Sequence, residues 1–144
     1  TMTSILVDTN VLIDIIANPD PASWSVQTLR KCAEAGELVI NTVIWSEISG
    51  AYPVEPKPEV LFRGLILKIE NLPVDAGYPA GAAHVAYRKA GGLRERTLPD
   101  FLIGAHAAVR GFSLMTRDDT RYRRYFPDLD IVAPTRGAGR AVSP

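Results

Sequence analysis

The chain carries four acidic residues at comparable places, each shortly after an apolar stretch. Asp8 ends the apolar run "SILV", and Glu47 comes just past the run "LVINTVI". Asp100 stands in the first turn of a predicted helix, and Asp118 lies two residues beyond "SLMT". A carboxylate is also a favourable helix cap, so each acid taken alone fits a structural role as well as a chemical one.

Four carboxylates at one place would repel one another, and some would take up a proton unless a cation neutralised them. Oxygen ligands without histidine or cysteine suit a hard divalent ion such as Mg²⁺ or Mn²⁺. The four acids together therefore predict a metal site, provided that the fold gathers them.

The hydrophobic pattern predicts the elements that carry these acids. Short apolar runs predict strands at residues 4–8 and in "ELVINTVI", "NLPV", "FSLMT" and "LDIVAP". Helices are predicted at residues 10–17, 23–34, 59–70 and 99–110, from "WSEISGAY", and in "YPAGAAHVAYRKAGG", with a turn or short helix in "DDTRYRRYF". Alternating strands and helices indicate an α/β fold, with a parallel sheet of about five strands covered by helices on both faces. The carboxyl ends of its strands would meet at one edge, where the four acids would lie together.

Composition is that of an ordinary globular protein. The 144 residues predict a single domain over 1–134 and a flexible Gly/Arg/Ser-rich tail over 135–144. One cysteine excludes an intramolecular disulfide, and no apolar run reaches the length of a membrane span, so we predict a soluble, cytoplasmic protein. The chain lacks GxGxxG and GxxxxGK[ST], which argues against a dinucleotide or P-loop site.

Four stretches together resemble PIN-domain proteins of the VapC type, the toxins of bacterial type II toxin–antitoxin pairs. They are "ILVDTNVLID", "INTVIWSEI", "LPDFLIGAHAAVRGFSLMTRD" and "YFPDLDIVAP", and the similarity spans about residues 4–134. The resemblance implies a PIN-like fold, a metal-dependent endoribonuclease, a cognate antitoxin partner and a homodimer. Two apolar segments, 45–52 and 56–70, are a second reason to expect an interface.

Carried over by position, the catalytic acids of this family fall on Asp8, Glu47, Asp100 and Asp118. Mg²⁺, or Mn²⁺ in its place, would be held by Asp8, Asp100 and Asp118. The polar supports fall on Thr9, Asn10 and Thr116. Asp119 follows Asp118 directly, so either of the two could be the fourth acid.

The segment "RDDTRYRRYF" alternates basic and aromatic residues, and the second half of the chain is the basic half. Arginines hold phosphates and tyrosines stack on unpaired bases, so we interpret this segment as an RNA contact. Its arginines are Arg117, Arg121, Arg123 and Arg124. The alternative is a solvated turn with a tyrosine anchored in the core.

Three other residues bear on the site. Gly104, one helical turn after Asp100, would leave open space on the face that carries the acid. His106 lies about 240° round the same helix from Asp100, so we expect it to face away from the acids, and His84 is expected to be structural.

A second hypothesis of another class is a non-catalytic regulatory domain, such as a phospho-receiver with Asp8 or a neighbour as phosphoacceptor. A receiver needs adjacent acids after its first strand and a lysine after its last. "VDTN" lacks the first feature and "DIVAP" lacks the second, so the ribonuclease is favoured.

Overall fold

The computed structural model describes residues 3–52, 56–93 and 97–135 of the chain. Within these ranges the strands are β1 Thr3–Val7, β2 Gly36–Ile40, β3 Leu67–Ile69, β4 Ser113–Met115 and β5 Ile131–Val132. The helices are α1 Thr9–Ala17, α2 Trp24–Ala35, α3 Thr42–Ala51, α4 Pro58–Leu61, α5 Gly77–Lys89, α6 Leu98–Arg110 and α7 Thr120–Tyr125. The predicted tail, 135–144, lies outside the described residues except for its first residue.

The five strands form one parallel sheet in the order β3-β2-β1-β4-β5, which places β1 at its centre. Leu6 of β1 is aligned with Val39 of β2 on one side and with Leu114 of β4 on the other. Successive side chains of a strand point to opposite faces, yet Ile5, Leu6 and Val7 are all buried. Both faces of the sheet are therefore covered, and the predicted α/β fold with a five-stranded parallel sheet is confirmed.

Several predicted helix ends are found in the structure. Ser23 caps α2, because its hydroxyl accepts a hydrogen bond from the backbone N–H of Val26 at 3.2 Å. Pro99 lies in the first turn of α6, and Gly111 ends that helix with a left-handed φ of 68°. No helix in the described part of the chain is long and apolar enough to cross a membrane.

The boundary between β2 and α3 differs from the prediction. The strand predicted through "ELVINTVI" ends at Ile40, because the side-chain oxygen of Asn41 accepts a hydrogen bond from the backbone N–H of Ile44 at 2.9 Å. This cap starts α3 at Thr42. Glu47 consequently lies in the second turn of its helix, where the sequence had predicted the first.

The helix predicted over residues 59–70 is wrong. α4 ends at Leu61, and the chain continues into β3, which pairs in parallel with β2. Gly64 lies between them with a φ of 90°, a conformation that glycine adopts without strain and that interrupts a helix. The predicted strand "NLPV" is also wrong, because residues 71–73 belong to no strand and residues 74–76 form a single 3₁₀ turn. One of the two apolar helices expected at an interface is therefore absent.

Candidate acidic site

The carboxyl ends of β1 and β4 are neighbours in the sheet, and Asp8 follows β1 at this edge. One carboxylate oxygen of Asp8 accepts a hydrogen bond from the backbone N–H of Thr9 at 2.8 Å and so caps α1. The other oxygen accepts hydrogen bonds from the hydroxyls of Thr116 at 2.8 Å and Tyr122 at 3.0 Å. With 4% of its surface exposed, Asp8 is the buried centre of the site.

The carboxyl group of Asp8 has a strongly perturbed pKa. Burial raises this pKa from 3.8 to about 7, and the charge of Asp100 adds to the rise. The hydrogen bonds that Asp8 accepts lower the pKa but do not offset burial. Near neutral pH the carboxyl group is therefore partly protonated, and a cation brought close to it would favour the ionised form.

Glu47 reaches the same place from α3. Its Oε1 accepts a hydrogen bond at 2.7 Å from the hydroxyl of Thr9, the residue adjacent to Asp8. Burial raises the pKa of Glu47, the hydrogen bond from Thr9 lowers it, and the charge of Asp100 raises it further. Because the charge of Asp100 acts on both Glu47 and Asp8, three of the four predicted acids share one site.

Asp100 lies in the first turn of α6, where the sequence predicts it. Its Oδ2 accepts a hydrogen bond from Nη2 of Arg121, and the two groups form an ion pair. Burial lowers the pKa of the Arg121 guanidinium, but the hydrogen bond and the charge of Asp100 raise it above its ordinary value. A guanidinium is therefore bound to one of the three predicted metal ligands.

Asp118 and Asp119 lie in different surroundings. The backbone N–H of Asp118 donates a hydrogen bond to the hydroxyl of Thr116 at 3.1 Å, and the charge of Asp118 raises the pKa of Arg121. The carboxylate of Asp119 instead accepts a hydrogen bond from Nε of Arg123 at 2.5 Å. The geometry favours Asp118 as the fourth acid of the site.

The three predicted polar supports contact the acids. Thr9 joins Asp8 to Glu47, because its backbone N–H donates to Asp8 and its hydroxyl donates to Glu47. Thr116 donates to Asp8 and accepts a hydrogen bond from the side-chain amide of Asn10 at 3.2 Å. The amide oxygen of Asn10 accepts from the backbone N–H of Arg117 at 3.1 Å. These contacts fix the loop after β4 against the end of β1.

Tyr122 is a site residue whose role the sequence did not reveal. It is 3% exposed, its hydroxyl donates to Asp8, and burial raises its pKa well above the ordinary value. Gly104 makes this possible, because a Cβ there would lie 3.0 Å from the Tyr122 ring and 2.7 Å from that of Phe126. The space predicted beside Asp100 is therefore filled by aromatic rings. The useful signal in the sequence is the spacing of Tyr122 in α7 and Phe126 just after it, four residues apart.

Changing Tyr122 to Phe should lower stability more at pH 8.5 than at pH 5. The variant loses a hydrogen bond to a carboxylate that is ionised only at the higher pH, and such bonds contribute about 1.5–3 kcal/mol. Thermal unfolding in EDTA at the two pH values would measure the difference. Tyr125→Phe, on the same helix, is the matched control. Equal losses for Tyr122→Phe at both pH values would contradict the contact with Asp8.

The four arginines of the basic segment have separate partners. Arg117 pairs with Asp14 at 2.7 Å, Arg121 with Asp100 and Arg123 with Asp119, whereas Arg124 lies over the ring of Tyr125. RNA binding by these arginines stays a prediction. The interpretation of the tyrosines as stacking platforms is not supported, because Tyr122 is buried and Tyr125 packs edge-on against Phe101 with ring centres 5.4 Å apart.

The two histidines have structural partners, as predicted. Nδ1 of His106 lies 2.9 Å from the side-chain amide nitrogen of Asn41, and its Nε2 lies 2.6 Å from Glu70. His84 contacts the hydroxyl of Thr97 at 3.2 Å. Neither ring contacts the acids of the site.

Whether the site fits a divalent ion can be judged from its donors. They are carboxylate oxygens at one sheet edge, and the pKa of Asp8 is raised there, chiefly by burial and further by the charge of Asp100. In the described residues, however, no three His, Cys, Asp or Glu side chains are grouped as a metal centre requires. Asp8, Asp100 and Asp118 thus offer suitable donors without a preformed centre, and a metal ion would compete with Arg121 for the charge of Asp100.

Fold and site together define a class of protein: an α/β domain whose central parallel strand ends in a buried acid, with further acids around it. The sequence model of the PIN domain family matches residues 5–127. The chain belongs to the PIN-domain family, which confirms the family predicted from its motifs.

Solved structures share the fold. A chain of VapBC2 from Rickettsia felis, bound to a promoter DNA fragment, matches with a TM-score of 0.71 and 19% identity over 92% of this chain and 100% of that one. A chain of DNA-bound VapBC from Salmonella typhimurium matches with a TM-score of 0.68 and 20% identity, over 92% of this chain and 98% of that one. A chain of FitAcB from Neisseria gonorrhoeae matches with a TM-score of 0.65 and 19% identity, over 88% of this chain and 95% of that one. A search of curated proteins finds no match.

Proposed function

We propose that this protein is the toxin of a type II toxin–antitoxin pair and acts in the cytoplasm as an endoribonuclease that requires Mg²⁺ or Mn²⁺. The observation that carries the proposal is the coupling of Asp8, Glu47 and Asp100 around the end of β1, with the pKa of Asp8 raised to about 7. The PIN-domain sequence and the fold shared with toxin–antitoxin proteins support it.

In this proposal Asp8, Asp100 and Asp118 would hold the ion, with Glu47 beside them. A bound Mg²⁺ supplies a water of lowered pKa and stabilises charge on the phosphodiester oxygens. Thr116 and Thr9 keep the carboxylates of Asp8 and Glu47 in place. Glu47 is suited to take the proton of the attacking water, because burial raises its pKa. Attack by water leaves a 5′-phosphate and a 3′-hydroxyl.

The test is cleavage of a labelled single-stranded RNA by the purified full chain, with Mg²⁺ or with EDTA. Cleavage in Mg²⁺ that stops in EDTA supports the proposal. Cleavage of equal rate in EDTA would contradict it. The phospho-receiver alternative gains nothing from the structure, because Asp8 is buried and both of its oxygens already accept hydrogen bonds.

The exposed arginines of α7 are proposed to hold the RNA. Replacing Arg123 and Arg124 by Ala should reduce the slope of log affinity against log salt by about 0.7 for each arginine that contacts a phosphate. RNA binding across a salt series, in an Asp8→Asn background, measures this slope. Replacing Arg30 and Lys31 by Ala on α2 removes the same charge elsewhere and is the control. Identical slopes with and without Arg123 and Arg124 would contradict this proposal and support the alternative, a solvated turn that does not contact RNA.

The proposed partners are a cognate antitoxin and a second copy of the chain. The antitoxin is proposed because the structural neighbours come from toxin–antitoxin complexes. For the homodimer, α5 presents an exposed apolar face that includes Tyr78, 87% exposed, and Val85, 51% exposed. A twofold dimer would bury such a face against its own copy.

The homodimer gives a direct prediction. Light scattering should show a dimer for the wild type and a monomer for Val85→Arg, because the new charges would face each other across the twofold axis. Lys89→Ala, one turn further along α5, is a control for altered charge on this helix. A wild type that stays monomeric at all workable concentrations would contradict the prediction.

A further inference from the structure

Arg121 differs from the other arginines of its segment in where its guanidinium lies. Arg117 and Arg123 pair with Asp14 and Asp119, whereas Arg121 pairs with Asp100 inside the acidic site. Of the basic side chains in the described ranges, Arg121 alone forms an ion pair with one of the coupled acids. The side chains of Arg121 and Asp100 are only 21% and 26% exposed, so the pair is largely withdrawn from water.

The hydrogen bonding of this guanidinium is incomplete. Nη2 of Arg121 donates to Asp100, but its Nε is buried without a hydrogen-bond partner among the described residues. A buried donor left unsatisfied costs free energy. The backbone around it is firmly held, since the neighbouring Tyr122 is buried and bonded to Asp8. The long arginine side chain is therefore the part of this segment that would move.

Arg121 occupies Oδ2 of Asp100 and holds a positive charge beside a carboxylate that would bind Mg²⁺. Mg²⁺ binds carboxylate oxygens at about 2.1 Å and demands near-octahedral geometry. The ion pair with Arg121 already neutralises part of the charge of Asp100, and two positive charges a few ångströms apart repel each other. Arg121 is thus placed to compete with a metal ion.

We propose that Arg121 is an internal counter-ion of the acidic site, and that Mg²⁺ binds the acids in competition with the ion pair between Arg121 and Asp100. The proposal rests on the proposed function, because it assumes that the acids hold a metal ion. It assigns Arg121 a role in metal affinity, in place of the RNA contact that the sequence indicated. The metal-free protein then keeps its acids partly neutralised by its own cation.

The test is Mg²⁺ binding to the metal-free full chain by titration calorimetry. Arg121→Gln should bind Mg²⁺ about tenfold more tightly than the wild type, a difference of about 1.4 kcal/mol. Arg121→Lys retains the positive charge and should stay within about threefold of the wild type. Arg124→Gln removes the same charge from the same helix without touching the acids, and should match the wild type.

A second measurement does not depend on the folding of Arg121→Gln. The Nε–H resonance of Arg121, assigned by its absence in Arg121→Lys, should shift as Mg²⁺ is added to the wild type and saturate together with the heat of binding. In EDTA, Arg121→Gln should also melt below Arg124→Gln, and Mg²⁺ should raise its melting temperature by more.

The outcomes separate this proposal from the proposed function. Equal Mg²⁺ affinities for Arg121→Gln and Arg124→Gln, or Mg²⁺ binding that leaves the Arg121 resonance unchanged, would overturn the counter-ion role while the metal site stands. No binding of Mg²⁺ by any of the four proteins would overturn both.

Discussion

Asp8→Asn is expected to lower RNA cleavage by more than about a hundredfold, the scale of loss when one electrostatic contact is removed from an active site. Asn caps a helix about as well as Asp, and the variant retains an oxygen for the backbone N–H of Thr9. A merely structural cap at Asp8 therefore predicts unchanged cleavage. The substitution separates the two roles that the sequence alone left open.

The assay needs folded protein and a matched control. Far-ultraviolet circular dichroism and a melting curve would show that Asp8→Asn is folded. Asp20→Asn is the control, since Asp20 also accepts a backbone hydrogen bond, from Ala22 at 2.9 Å, but lies outside the site. Near-wild-type cleavage by Asp8→Asn, with Asp20→Asn equally active, would remove Asp8 from the mechanism.

The second large effect concerns stability against pH in EDTA. Asp8 has a folded pKa of about 7 and an ordinary pKa of 3.8, so between these values the folded state binds more protons than the unfolded state. Stability should therefore fall as pH rises from about 4 to about 7, by up to about 4 kcal/mol from this group. Above pH 7 the loss is complete and the contribution stays constant.

Asp8→Asn isolates this contribution, because other titrating groups are common to both proteins. Urea unfolding at pH 5 and pH 8.5 measures the free energy of unfolding of both proteins. The stability of the variant relative to the wild type should be higher at pH 8.5 than at pH 5. Mg²⁺ at one hundred times its Kd should then raise the free energy of unfolding of the wild type at pH 8.5 by about 2.7 kcal/mol. A wild-type-to-variant difference that is the same at both pH values would contradict the raised pKa.

The placement of the acids was predictable because it depends on strand order more than on side-chain detail. Asp8 closes a buried strand and Asp100 opens a helix after a proline, and both signals are local in the sequence. Parallel strands bring their carboxyl ends to one edge, so the edge followed from the alternation of elements.

Other features depended on contacts that no local pattern reveals. Residues 66–69 look helical in an apolar run, yet the backbone of β3 is held by its pairing with β2. The sequence predicts Arg121 as an RNA contact, whereas the packing of α7 on Gly104 directs its side chain toward Asp100. The role of Tyr122 has the same origin, because the missing Cβ of Gly104 admits its ring.

The most direct test of the metal-dependent ribonuclease is the chemistry of the RNA ends. A single-stranded RNA cut by the wild type in Mg²⁺ should carry 5′-phosphates and 3′-hydroxyls, detected by ligation and by polymerase extension, and should stay intact in EDTA. Asp8→Asn should leave it intact in both. Fragments that end in 2′,3′-cyclic phosphates, or cleavage that persists in EDTA, would contradict water attack assisted by a metal ion at this acidic site.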